Sequence, residues 1–387
     1  MVKILRFIPV SLIFSLTVLS VSCKKEQKKT ETLTQQATPS NYTWYYFSEN
    51  TYKKIEKLHL VPTAVSKPWT EAVRISSCAM EETSSLENPK GFATINQCGI
   101  LVFQGNKINL YNDQEIFRGR TAGNLVFAGG MPIFSVYKST FFNESKSALQ
   151  KTHPFLVMFN SEQNILYPLI NIENLGLDES CEITDFLFDG KFWTCSIKKE
   201  NSEKVDFSYI TFQPKEDITL LTPYTAENML HISEANVESF RNAKKQLDYN
   251  SAPERLKKLL KTVPSDVDFS VSVQTVQSHS PRIFVRKNKN SSEKEVLTAK
   301  AIISDTWTAC LFQDGTIYLN GALFEKNILN NGNTMGIKLP KLPLNFTYGD
   351  FVISGTTLYA AWEETSFYKT KRSGFISVNL DEILYKR

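Results

Sequence analysis

The stretch DFVISGTTLYAAW, residues 350–362, decides how the chain folds: an apolar run, a glycine turn and a second apolar run. Glycine, with Asn or Asp at several of these turns, supplies the positive φ that a tight hairpin needs, and the flanking Phe, Val, Ile, Leu and Tyr favour extended backbone. The same shape recurs in CGILVFQGNKINLY (98–111), NLVFAGGMPIFSVY (124–137), DFLFDGKFWTCSI (185–197) and TACLFQDGTIYLNG (308–321). All five are predicted β-hairpins.

Further strands follow three of them closely: PFLVMFN (154–160), VDFSYITFQP (205–214) and SGFISVNLD (373–381). The chain therefore reads as units of three or four antiparallel strands, an all-β fold. Units of four strands and about 40–50 residues are the pattern of β-propeller blades, which bury their apolar faces by stacking radially. Residues 42–387 would hold about six to eight of them. An antiparallel β-sandwich, or a pair of such domains, makes the same hairpins without radial closure. The aromatic cluster NYTWYYF (41–47) fits a first strand, or the strand that closes the last blade, with Trp44 and Phe47 packed inward and tyrosines reaching the surface. Its functional alternative is a stacking surface for a sugar or a peptide.

One segment departs from the β pattern. Residues 233–263 carry two sets of helix signals. Ser233 is placed to cap a first helix with Val237, Phe240 and Leu247 on one face. Ser251 and Glu254 form a capping box for a second, whose Leu256, Leu259, Leu260 and Val263 make an i, i+3, i+4, i+7 stripe. A helical hairpin packed on the β body is the expectation, and partner docking or a lid is the functional alternative.

Composition bounds the class. The chain is 42% hydrophobic and 12% aromatic, far above a disordered profile, so it builds a core. The 44 basic and 40 acidic residues leave a formal charge of +4, which does not suggest a nucleic-acid partner.

The N-terminus carries Lys3 and Arg6, then the apolar run ILRFIPVSLIFSLTVLSV, then VLSVSCKKEQKK around Cys23. The apolar run is too short, and too closely followed by polar sequence, for an ordinary spanning helix. The segment resembles a lipoprotein (type II) signal peptide with the relaxed lipobox found in spirochaetes and some other bacteria. That pattern prefers Leu three residues before the cysteine; here Ser20 stands there and Leu19 one position earlier. The resemblance implies removal of residues 1–22, lipid such as palmitate on Cys23, and a membrane anchor in the cell envelope. Residues 23–41 are polar and Lys-rich, so they are expected to be an unfolded tether. The plan is also loosely similar to that of the outer-membrane-assembly lipoprotein propellers, although their quinoprotein-type repeat is absent and no functional residue carries over.

With Cys23 set aside, five of six cysteines remain in the body. Folding the segment between Cys78 and Cys98 about Asn88 would place those two opposite one another, close enough for a disulfide. Cys181 and Cys195 flank the Asp189–Gly190 turn, where strict pairing puts Thr184 opposite Cys195. No CxxC occurs, and His59, His153, His231 and His279 stand singly, so no metal or other cofactor is expected.

No nucleophile elbow, phosphate loop, dinucleotide fingerprint or HExxH motif occurs, and no catalytic residue is assigned. Propeller glycosidases and lyases take their carboxylates from separate strands, so Glu182, Asp185, Asp305, Asp350, Glu363 and Glu364 are the residues to locate. Asp189 and Asp314 read as turn formers. The expected function is a lipid-anchored binding or scaffold module for a protein or carbohydrate ligand of the envelope. The alternative is an envelope glycosidase, lyase or hydrolase with its site in the propeller funnel.

Overall fold

The computed structural model describes residues 34–48, 51–61, 73–81, 89–96, 99–117, 120–128, 131–138, 154–171, 181–188, 193–201, 204–214, 229–232, 246–247, 254–261, 267–272, 282–287, 296–304, 307–321, 334–365 and 372–384. The expected signal peptide (residues 1–22), Cys23 and Cys98 lie outside them. In chain order the first strands are β1 (Thr34–Ala37), β2 (Tyr42–Ser48) and β3 (Thr51–Ile55). A four-stranded meander follows, β4 (Ile75–Met80), β5 (Gly91–Ile95), β6 (Gly99–Gln104) and β7 (Lys107–Asn112). A second comprises β8 (Arg120–Ala128), β9 (Met131–Lys138), β10 (Pro154–Asn160) and β11 (Ile165–Asn171). A third comprises β12 (Cys181–Phe188), β13 (Trp193–Asn201), β14 (Lys204–Pro214) and β15 (Met229–Ile232).

The next strands are β16 (Gln246–Leu247), β17 (Val267–Ser272), β18 (Arg282–Lys287), β19 (Val296–Ile303), β20 (Trp307–Phe312), β21 (Thr316–Gly321) and β22 (Thr334–Lys338). They join edge to edge in one sheet, with β1 added parallel to β22. The last strands, β23 (Phe346–Ser354), β24 (Thr357–Glu364) and β25 (Ser373–Asn379), form a sheet completed by β2 and β3 from the other end of the chain. The protein is all-β and built of several antiparallel sheets. Among the described residues no helix is long and apolar enough to cross a membrane.

All five predicted hairpins form: β6–β7, β8–β9, β12–β13, β20–β21 and β23–β24. Gly105 and Gly355 show why the turns are glycine: with φ of 55° and 56° each sits in the left-handed region inside a two-residue turn. The tip at Gly105 also docks on the last sheet. Its N–H donates to Ser354 Oγ at 2.8 Å and its carbonyl accepts from the Tyr359 hydroxyl at 2.6 Å.

The last sheet is covered on both faces. On one, Trp44, Tyr348, Trp362 and Ile376 pack with Trp307, Leu311 and Ile337 of the β16–β22 sheet. On the other, Tyr359 and Phe375 pack with Leu101 and Phe103 of the β4–β7 sheet. The β4–β7 sheet in turn meets β8–β11 through Phe92, Ile100, Phe134 and Phe159. A sheet buried on both faces explains why NYTWYYF is aromatic at nearly every position. Trp44 and Phe47 both pack against apolar neighbours, as expected, but on opposite faces, because side chains alternate along a strand. Of the tyrosines in β2, Tyr45 stacks on Phe375 at 4.6 Å between centroids and Tyr42 is exposed.

Close approach of β25 to β2 depends on Gly374. A Cβ there would meet the Tyr45 carbonyl oxygen, and would lie 2.7 Å from both the Trp362 ring and Tyr46 Cα. Gly374→Ala is expected to destabilise by about 1–3 kcal/mol through this overpacking. The measurement is the urea midpoint, which should fall with the slope unchanged.

Four expectations are corrected. The tether does not run to residue 41, because Thr34–Ala37 is already a strand, with Thr34 opposite Met335 and Ala37 opposite Ile337. An edge strand is held by backbone hydrogen bonds and needs no apolar side chains, so its polar composition gave no sign of it. The first predicted helix lies outside the described residues except for Leu247, which is in β16 opposite Val271; the edge of β17 takes up its backbone groups. Cys78 faces Ala93, not residue 98, because the β4–β5 hairpin turns earlier than Asn88. Cys78 is a free buried thiol. Phe186, not Thr184, stands opposite Cys195, because the last pair beside the turn is Phe188 with Trp193, so four residues intervene instead of the two that strict pairing about Asp189–Gly190 assumed. The second helix forms as Glu254–Leu260, with Leu256, Leu259 and Leu260 buried and the helix against β19–β21.

Candidate functional site: a polar cavity between sheets

A cavity of about 300 Å³ opens where β4, β19, β20, β23 and β24 converge. Its polar groups are Arg74, Ser76, Lys300, Gln313, Asp350 and Glu363, and Tyr348 and Trp362 supply aromatic wall. Strand alternation aims Lys300 into it: its neighbours Ala299 and Ala301 in β19 are buried, and its own side chain is only 17% exposed.

A nearly buried ammonium must be paired. Lys300 donates to Asp350, whose side chain is 10% exposed and which also accepts the Cys78 backbone N–H at 3.2 Å. Nearer the mouth, Arg74 and Glu363 approach to 3.6 Å, with side chains 42% and 35% exposed. The inner pair is the costly one to break; the outer pair, in water, contributes at most about 1 kcal/mol.

Asp350→Ala would leave the nearly buried Lys300 ammonium without its carboxylate partner. It is expected to destabilise by about 1–3 kcal/mol, below a fully buried pair because some solvent reaches the site. Lys300→Met combined with Asp350→Leu should recover most of that loss in thermal unfolding. No recovery would mean that the pair does more than neutralise itself.

Three described cysteines, Cys78, Cys195 and Cys310, are free and buried. Burial pushes the Cys78 thiol up, the Asp350 carboxylate adds to the rise, and Lys300 opposes it. Burial raises Cys195 and Cys310 likewise. Protonated, enclosed thiols are poor nucleophiles. Burial also raises the Tyr348 phenol, whose hydroxyl donates to the Pro340 carbonyl at 2.6 Å.

Of the carboxylates singled out in the sequence, Asp350 and Glu363 reach this cavity. Glu364, the next residue, holds Arg372 through two nitrogens at 3.0 and 3.1 Å, and that guanidinium keeps its carboxyl below the usual range. Glu182 and Asp185 are on β12, and Asp305 lies outside the described residues. Asp314 is a turn residue, its carboxylate accepting the Thr316 N–H at 2.9 Å. Arg74 and Lys300 were missed. The signal for Lys300 was present: one cation inside the apolar run VLTAKAII.

Residues 33–382 match the Family of unknown function (DUF8086), and the chain belongs to that family. An uncharacterized lipoprotein of Treponema pallidum (strain Nichols) is 22% identical over 256 residues, covering 59% of this chain and 56% of that protein. The chain thus matches a little over half the length of this relative. A crystal structure of a member of the duf4221 family from Bacteroides vulgatus ATCC 8482 aligns over 90% of this chain and 94% of its own, with 8% identity and a TM-score of 0.21. At that score the likeness decides nothing about the fold.

Proposed function

We propose that this member of a family of unknown function is a lipoprotein of the bacterial cell envelope, anchored through lipid on Cys23, whose body is a β-propeller acting as a binding or scaffold module. The anchor reading is supported by the leader around Cys23 and by the spirochaete relative described as a lipoprotein. The propeller reading is supported by how the sheets adjoin. The opening strand β4 stands beside both β8 and β23, β8 stands beside β12, and β23 stands beside β19. Four of the five sheets thus adjoin through their opening strands, β12, β8, β4 and β23, with β23 also meeting β19 inside the β16–β22 sheet, and such adjoining is the arrangement of blades around an axis. A chain end that completes the last sheet, as β2 does, is a further support.

One observation carries the binding reading over the enzymatic one: each cavity carboxylate is matched by a cation, Asp350 by Lys300 and Glu363 by Arg74. A glycosidase or lyase needs one carboxyl held protonated and another free to act as base or nucleophile. Paired carboxylates suit polar recognition of a protein or carbohydrate ligand instead. The test is chemical cross-linking in native membranes followed by purification of the lipid-anchored protein and of its Arg74→Ala variant. A partner lost from the variant, with circular dichroism unchanged, supports the cavity as the site. Identical partners for both would move recognition elsewhere on the body.

A further inference from the structure

Four large hydrophobic side chains are exposed among the described residues: Tyr42 at 40%, Leu60 at 53%, Ile165 at 47% and Leu344 at 89%. Three of them gather about one groove of about 650 Å³. Tyr42 lines it, and Leu60 and Leu344 directly follow His59 and Pro343, which line it too. Leu344 is held out by a fixed turn. Asn345 has a φ of 71°, the Phe346 N–H donates to the Pro343 carbonyl at 3.2 Å, and the Asn345 carbonyl accepts the Thr365 N–H at 2.6 Å. A leucine displayed on a pinned turn beside other apolar groups marks a surface that meets something apolar.

We propose that this face rests on the membrane surface, with Leu344 and Leu60 entering the interfacial region and the surrounding lysines meeting anionic headgroups. The inference depends on the lipid-anchor reading above. Two observations select a bilayer as the occupant. Thr38, Pro39 and Ser40, by which the chain passes from β1 into the body, line the groove itself. Thr34 stands eleven positions after Cys23, so even fully extended the chain between them reaches only about 36–40 Å, and the body of an anchored chain never leaves the bilayer's vicinity. The charge also fits: Lys57 and Lys341 line the groove against the single acidic lining residue Glu56. Apolar tips ringed by basic side chains are how peripheral proteins hold an anionic interface.

The test uses the full lipid-modified chain in vesicles of phosphatidylcholine and phosphatidylglycerol, with photoreactive benzoylphenylalanine replacing Leu344 in one preparation and Ile165 in another. Irradiation is expected to give phospholipid adducts at position 344, severalfold above those at 165, as read by mass spectrometry of the tryptic peptides. Equal labelling at the two positions, or none at 344, overturns the proposal. So does the same irradiation in native membranes if position 344 couples to protein instead of lipid. Should the wild-type chain carry no lipid on Cys23 and fail to float with vesicles, the anchor reading itself falls, an outcome distinct from an anchored body that labels nothing at 344.

Discussion

Cys23→Ala is expected to abolish incorporation of radiolabelled palmitate and to shift the protein from the membrane pellet to the soluble fraction. The expectation follows from the apolar run that ends at Val21, directly before Ser22 and Cys23. A single acyl chain gives only marginal, reversible binding, whereas two or more chains on one cysteine hold a protein firmly. Loss of the thiol removes them together, so the effect should be all-or-none. Persistent palmitate labelling of the variant would refute the anchor. The body should be unaffected, because the described fold begins eleven residues later at Thr34, and circular dichroism of the released protein checks this.

Trp362→Ala is expected to be the most damaging substitution in the body, at about 3–5 kcal/mol. Its indole is buried in the cluster shared by the last two sheets, edge-on to Trp44 at 6.5 Å and beside Phe346 at 5.8 Å. The indole N–H also donates to the Tyr45 carbonyl at 3.1 Å. One residue therefore ties the C-terminal hairpin to the N-terminal strand. Trp362→Phe separates the two contributions, since it keeps much of the packing but removes the hydrogen bond, and should cost about 1–2 kcal/mol. Denaturant unfolding measures both. A loss under about 1 kcal/mol for the alanine variant would mean that the site collapses around the cavity and that β2 is not held there.

Much of the fold was legible because the hairpins are local. A glycine turn between apolar runs specifies its own pairing, and all five such segments pair as read. Register across longer connections was not legible. Cys78 meets Ala93 because the turn between β4 and β5 carries no Gly–Asn or Gly–Asp pair to fix its position. The β1 strand was invisible for a different reason: TQQA has no apolar period, and its place is set by the open edge of β22. At the candidate site, Asp350 and Glu363 were named from the sequence but their cations were not. Arg74 and Lys300 lie far from them along the chain, and only the meeting of three sheets brings the four together. Lys300 was the recoverable one, since a lone charge in an otherwise apolar strand must find a partner.

The pairing of β2 with β25 also sets an order of events. Trp44 and Ile376 are partners 332 positions apart, and contacts of such separation form late because the closing entropy precedes the reward. β2, one of the first strands to emerge during synthesis, must therefore wait for the last, β25. A chain cut short anywhere before β25 leaves Trp44 and its aromatic neighbours without their partner strand, an unsatisfied edge that proteases can recognise. Completion of the last sheet thus doubles as a length check on the polypeptide.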